Sequence, residues 1–177
     1  MNTTPRGIPI PDAPAQIGSA LLLQLALMAA AIDGILVVPV TLSADEAAVA
    51  SNALTAQSGL ARNVLSGVVY NFRIVLWITA AAGEGLQLDL NGGTAVMTWF
   101  RAAYKGYDAS SLALVAAVTA LATEVGPQDA FSGMIEIEGS FKPSSDGTFA
   151  PRIAQTAHAS GNVTVLEGSS SLVQVTA

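Results

Sequence analysis

The chain has 177 residues, enough for one domain with some length left over for an arm. It is 51% hydrophobic but only 11% charged, against about 25% in an ordinary soluble domain, so part of its surface is expected to be buried against partners. A net charge of −6, with basic residues scattered from Arg6 to Arg152, excludes the cluster that non-specific nucleic-acid binding requires, and the lack of cysteine excludes disulfides, thiolate catalysis and cysteine zinc sites.

Met1 to Gln16 is punctuated by Pro5, Pro9, Pro11 and Pro14, which block a helix and favour an extended path. Such an arm buries almost nothing alone and is expected to lie on a neighbouring surface, with Ile8 and Ile10 as its candidate contacts. Ile17 to Leu36 is predicted to be a helix. Leu21, Leu25, Met28, Ile32 and Ile35 follow the spacing of a coiled-coil seam, and Leu22, Leu23 and Leu27 widen the apolar face. A helix this apolar must be covered on nearly every side, either by its own domain or by other copies bundled around a symmetry axis. Asp33-Gly34 supplies a stop or bend. The apolar stretch Ala20 to Ile32 falls short of the ~20 residues that span a bilayer, and four prolines with a single Arg6 do not make the basic start of a signal peptide. No membrane partner is expected.

Val37 to Leu42 reads as a first strand that tolerates Pro39 only at an edge. Ser43-Ala-Asp-Glu46 has capping-box spacing and predicts a short helix over Ala47 to Ala50. Val68 to Thr79 is a strand with Tyr70, Phe72, Ile74, Leu76 and Ile78 on one face and Asn71, Arg73, Val75, Trp77 and Thr79 on the other. The second face turns apolar at Val75 and Trp77, as it would if another sheet or subunit covered that end. Leu86, Leu88 and Leu90 alternate with Gln87, Asp89 and Asn91 in a half-exposed strand, and Asn91-Gly92-Gly93 supplies a hairpin turn. Thr94 to Tyr104 is a further strand candidate, followed by a polar loop over Lys105 to Asp108. Ser111 to Val125 mixes helical and strand signals and is read as a strand or irregular edge.

From Phe131 to Val175 the chain is a series of short strands separated by turns. Ile135, Ile137 and Phe141 alternate against Glu136, Glu138 and Ser140 in a half-buried strand, Ser144 to Gly147 turns, and Thr148 to Gln155, Asn162 to Ser169 and Leu172 to Val175 follow. Eight or so short strands at regular intervals make an antiparallel sandwich or jelly roll. The expected fold is therefore mainly β, an antiparallel β-sandwich over 37–177 preceded by an extended arm and one short helix over 1–36.

Candidate chemistry is sparse. The single histidine, His158, sits in a polar turn with no orienting acid nearby in sequence. Glu136 and Glu138 share a strand face roughly 6–7 Å apart, a spacing that would serve two-carboxylate glycoside hydrolysis, but paired outward carboxylates on a strand more simply make a solvated face. Asp89 beside Asn91 offers too few oxygens for Ca²⁺. Gly83-Glu-Gly85 lacks the third glycine and helix of a dinucleotide fingerprint, and Asn162-Val-Thr164 has the form of a glycosylation acceptor. No catalytic residue, metal or cofactor is expected.

Arg6-Gly-Ile-Pro-Ile-Pro-Asp12 and Ala30-Ala-Ile-Asp33 open the chain; Ser58-Gly-Leu60, Tyr70-Asn-Phe-Arg73 and Gly85-Leu-Gln-Leu88 follow; Gly139, Gly147-Thr148, Ala154-Gln155 and Val165-Leu-Glu-Gly-Ser169, with Leu172 and Val175, close it. This order resembles the small structural proteins of tailed bacteriophages, decoration, minor capsid or tail-appendage proteins with a C-terminal jelly-roll domain. Ala109 to Gly126 is richer in alanine than that pattern. The resemblance implies a trimeric jelly roll fixed to a virion by its N-terminal part.

The expected function is that of a non-enzymatic virion protein, a capsid decoration or minor capsid protein assembled as a homotrimer and bound to the major capsid protein or another virion protein. The candidate attachment and oligomerisation residues are Ile8, Ile10, Leu21, Leu25, Met28, Ile32, Ile35, Val75 and Trp77. The alternative is a tail or head-fibre module that binds a host surface glycan, for which Trp99, Tyr104 and Tyr107 would supply exposed aromatics. A β-sandwich hydrolase using Glu136 and Glu138 is the third reading.

Overall fold

The structure, a computed structural model, describes residues 39–81, 85–91, 93–108, 112–126, 131–155 and 162–176, all within the second of the chain's two units, Val38–Ala177. The expected arm and helix over 1–36, and with them Ile8, Ile10, Leu21, Leu25, Met28, Ile32 and Ile35, lie outside the described residues, as does His158.

The described chain is mainly β. In order its strands are β1 (Val40–Thr41), β2 (Thr55–Ala56), β3 (Arg62–Val64), β4 (Tyr70–Ala80), β5 (Leu86–Leu90), β6 (Met97–Asp108), β7 (Leu112–Val118), β8 (Gly133–Pro143), β9 (Gly147–Phe149), β10 (Pro151–Gln155), β11 (Val163–Val165) and β12 (Ser170–Val175). A single 3₁₀ turn, Ser58–Leu60, is the one helical element among the described residues. All strand pairings are antiparallel. The largest sheet runs β1-β12-β4-β8-β6-β7, a second runs β2-β10-β5, and β3 pairs with β9. β8 holds one side of β4 along Tyr70–Ile78, while β12 and β11 share the other side end to end, pairing with Tyr70–Val75 and Ile78–Ala80. The turn between β11 and β12 takes Gly168 to φ +84°, a left-handed conformation that glycine adopts without steric cost.

Period-two alternation determines which face is buried. Phe72, Ile74, Leu76 and Ile78 of β4, Ile135, Ile137 and Phe141 of β8, and Phe100, Ala102 and Tyr104 of β6 form one inner face. They share a core with Leu86, Leu88, Leu90 and Ile153 from the three-stranded sheet and Phe149 from β9, which makes a sandwich. Four phenylalanines meet at its centre, with ring centroids 4.6 Å apart for Phe141–Phe149, 5.2 Å for Phe72–Phe149 and 5.9 Å for Phe72–Phe100. Gly139 faces Phe72 in register, and a Cβ there would run into the Phe72 ring and the Arg101 carbonyl. The glycine makes room for the aromatic cluster.

Several local expectations give way to tertiary pairing. No helix starts at Ser43–Glu46. The backbone N–H groups of Glu46 and Val49 donate to Val165 and Val163 (2.9 and 2.8 Å), the Glu46 carboxylate of the expected capping box accepts instead from Gly59 N–H (Oε1, 2.8 Å), and Asp45 Oδ1 accepts from Glu167 N–H (2.8 Å). Asn91-Gly92-Gly93 does not close a hairpin, because β5 pairs with β10 while β6 pairs with β7 and β8. It carries the chain from one sheet to the other, with Asn91 at φ +91° and its amide nitrogen donating to the Ala95 carbonyl at 3.0 Å. Lys105–Asp108 is the end of β6, not a loop. Thr148–Gln155 divides at Ala150 into β9 and β10, which lie in different sheets, and Pro151, lacking an N–H, occupies the first position of β10. Of the expected strand Val37–Leu42, residues 39–42 are described, and Val40–Thr41 form β1 at the sheet edge with Pro39 just outside it. Ser111–Val125 contains the edge strand β7.

Candidate functional site

The inner face of the large sheet is occupied by the core, so its outer face is the surface available for function. Register sets what that face displays. Trp77 of β4 lies opposite Met134 of β8, which lies opposite Tyr107 of β6. One step along, Val75, Glu136, Lys105 and Val115 stand side by side on four strands. The next row is Arg73, Glu138, Ala103 and Ala117. Trp77 is 44% exposed, Tyr107 38% and Val115 69%. Singly exposed apolar residues need no explanation, but a cross-strand row of them makes this face the candidate contact surface.

Trp77 is held firmly. Its backbone N–H donates to Ser169 Oγ (2.8 Å) and its carbonyl accepts from Leu166 N–H (2.8 Å), so the turn between β11 and β12 fixes the backbone beneath the indole. Val75 is partly covered on the same face. Of the nine expected attachment residues, the described structure thus brings together these two. It adds Met134, Tyr107 and Val115, which became visible as neighbours only with the register of β4, β8, β6 and β7.

The centre of the face is ionic. The Arg73 Nε–H donates to Glu136 Oε1 at 2.7 Å, and the same guanidinium lies 3.6 Å from Glu138 Oε1. Lys105 takes the register position on the other side of Glu136. Paired side chains on one sheet face are expected to complement each other in charge, and Arg73 engages both carboxylates proposed for hydrolysis. Their arrangement is that of an ion-paired ladder.

A second polar group is internal. The sequence alternation makes Asp89 half exposed, yet Asp89 is fully buried, because both faces of β5 are covered. Arg152, directly opposite on β10, donates from Nε to Asp89 Oδ1 at 2.7 Å and from its terminal nitrogen to Oδ2. The hydrogen bond to Asp89 raises the Arg152 pKa above its ordinary value. Tyr104, also buried, has its phenol pushed well above the usual range, first by burial and then by the Asp89 charge. With its oxygens engaged by Arg152, Asp89 is not poised for Ca²⁺ beside Asn91. Among the described residues no cluster of three His, Asp or Glu side chains could hold a metal, and no helix is long and apolar enough to cross a membrane.

The aromatics expected on one loop separate. Tyr104 points into the core, while Trp99 and Tyr107 stand on the outer face of β6, roughly 26 Å apart at the rise of an extended strand. Trp99, 37% exposed, borders a shallow cleft of about 400 Å³ lined by Asn91, Val96, Thr98, Thr119 and Leu121 among others. No protein-family model matches this chain, and no curated protein is significantly similar to it.

Proposed function

We propose that this chain is a non-enzymatic structural protein of a bacteriophage virion, a capsid decoration or minor capsid protein that works as a homotrimer with a sandwich of jelly-roll type. The observation that carries the reading is the Trp77–Met134–Tyr107 row on an open sheet face, flanked by Val75 and Val115. Low charge across the whole sequence and the ordered resemblance to phage structural proteins support it. In this reading the 1–36 segment, through Ile8, Ile10 and the seam of Leu21, Leu25, Met28, Ile32 and Ile35, binds the head or neighbouring subunits. The open face, through Val75 and Trp77, packs a second subunit around a threefold axis. Three joined copies then attach with avidity no single contact supplies. Imaging particles assembled with and without the protein tests the role: added density on the head surface is expected, and particles that never carry the protein would refute it.

A second reading has one observation in its favour. Trp99 beside the cleft at Asn91 and Thr119 offers a flat aromatic surface with hydroxyl and amide groups around it, the chemistry of a sugar platform on a fibre module. Co-sedimentation with host polysaccharide that Trp99→Ala abolishes would favour this reading, and no sedimentation with the wild-type protein would remove it.

A further inference from the structure

Every open sheet has edges, and an edge strand presents unpaired N–H and C=O groups to any strand that fits. Most edges here are short or covered. β1 has two residues and follows Pro39, and β2 also has two. The free side of β5 is covered by the 122–125 segment, where Leu88 and Val125 exchange two backbone hydrogen bonds of 2.7–2.8 Å and Ala122 N–H donates to Leu90. The free side of β9 takes a bond from Ala95 N–H to the Thr148 carbonyl (3.0 Å). Beyond β1, Leu172–Val175 of β12 is a four-residue remnant holding the polar Gln174.

β7 is the exception. It pairs with β6 on one side, and among the described residues its other side makes no backbone hydrogen bond. Its sequence, Leu112-Ala-Leu-Val-Ala-Ala-Val118, has no charge, proline, glycine or polar side chain. A bulge where β6 shifts register at Gly106/Tyr107 interrupts the pairing near Leu112, leaving Leu114–Val118 as a regular five-residue edge. This edge lacks the lysine, proline or short length by which monomeric sheets avoid pairing with each other.

We propose that β7 pairs antiparallel with β7 of a second copy of this chain, extending the large sheet across a twofold axis. Self-complementarity argues for a second copy as the occupant. A twofold at Ala116 sets Leu114 against the partner's Val118 on the inner face, and Val115 against the partner's Ala117 on the outer face. Every cross-strand pair is then apolar, and no charge faces another, which matters for copies that each carry −6. The contact is isologous and closes on itself, so it does not form the threefold ring proposed above. It joins two such rings, or two single chains, and stands whether or not the trimer does.

The test is the solution mass of the full chain and of Ala117→Lys. Ala117 is exposed on the outer face and lies outside the Trp77–Met134–Tyr107 row and its flanking valines, so the single chain tolerates lysine there, while the twofold would seat an ammonium group against the partner's Val115 on each side of the axis. Circular dichroism and a melting curve matching wild type verify that the variant is folded. The expected result is an even number of chains in the wild type and half that mass in the variant, six falling to three if the trimer holds and two falling to one if it does not. Hydrogen exchange provides the second measurement: the amides of 114–118 that point away from β6 are protected in the wild type at assembling concentrations and exchange at least tenfold faster in the variant. An odd number of chains in the wild type, an unchanged mass in the variant, or fast-exchanging wild-type β7 amides would overturn the proposal.

Discussion

Arg152 and Tyr104 show how one buried carboxylate organises its surroundings. Asp89 sits at zero exposure with both oxygens bonded to one guanidinium, and desolvation offsets much of the attraction in a buried pair of this kind. Removing one partner leaves a buried, uncompensated charge, so Arg152→Met is expected to lose about 3–5 kcal/mol in urea unfolding, whereas exchanging both partners for apolar residues should restore much of that loss. The exposed Arg73 ladder behaves differently: Arg73→Ala should cost at most about 1 kcal/mol. Tyr104 gives the chain an alkaline limit. Its phenol pKa is raised in the folded state, so the folded chain keeps a proton that the unfolded chain releases above pH ~10. The stabilisation is complete below that pH and declines as pH rises through and beyond it, by up to about 1.4 kcal/mol per pH unit. Melting temperatures measured from pH 9 to 11.5 should fall steeply for the wild type and more gently for Tyr104→Phe.

At the scale of elements, what the sequence made legible was alternation, and what it hid was pairing. β4 and β8 were readable because Phe72–Ile78 and Ile135–Phe141 alternate over many residues, and burial of one face explains every second position. Asp89 misled because period two says which way a side chain points, not what lies there; the second face of β5 is covered, and the partner that makes this tolerable, Arg152, is 63 residues away. The Ser43–Glu46 signal failed for a similar reason. Its carboxylates found backbone N–H groups at Gly59 and Glu167, and strand contacts from Val163 and Val165 outweighed a helix of four residues. Trp77 stood out in the sequence on a face turning apolar, but Met134 and Tyr107 joined it only through register across 57 and 30 residues. Gly139 is where register and packing meet: Gly139→Val drives a branched side chain into the Phe72 ring and the Arg101 carbonyl. Overpacking of that kind typically costs 1–3 kcal/mol, and the variant should show a correspondingly lower denaturant midpoint with an unchanged slope.

The described residues form a sandwich whose largest sheet has one face committed to the core and the other exposed among them. On the proposed phage-type reading, a chain with 11% charged residues and the Trp77–Met134–Tyr107 row on that face would make contact with copies of itself or with a larger surface. Self-assembly through the Trp77 face is tested by the solution mass of the wild type beside that of Trp77→Lys. Trp77 is exposed and its backbone is held by Ser169 and Leu166, so lysine should leave the fold intact while placing a charge in the interface. The expected result is a wild-type mass that is a multiple of three 17.9 kDa chains and a variant in which the threefold contact is lost; a wild type that runs as one 17.9 kDa chain, or a variant of unchanged mass, would contradict the threefold assembly.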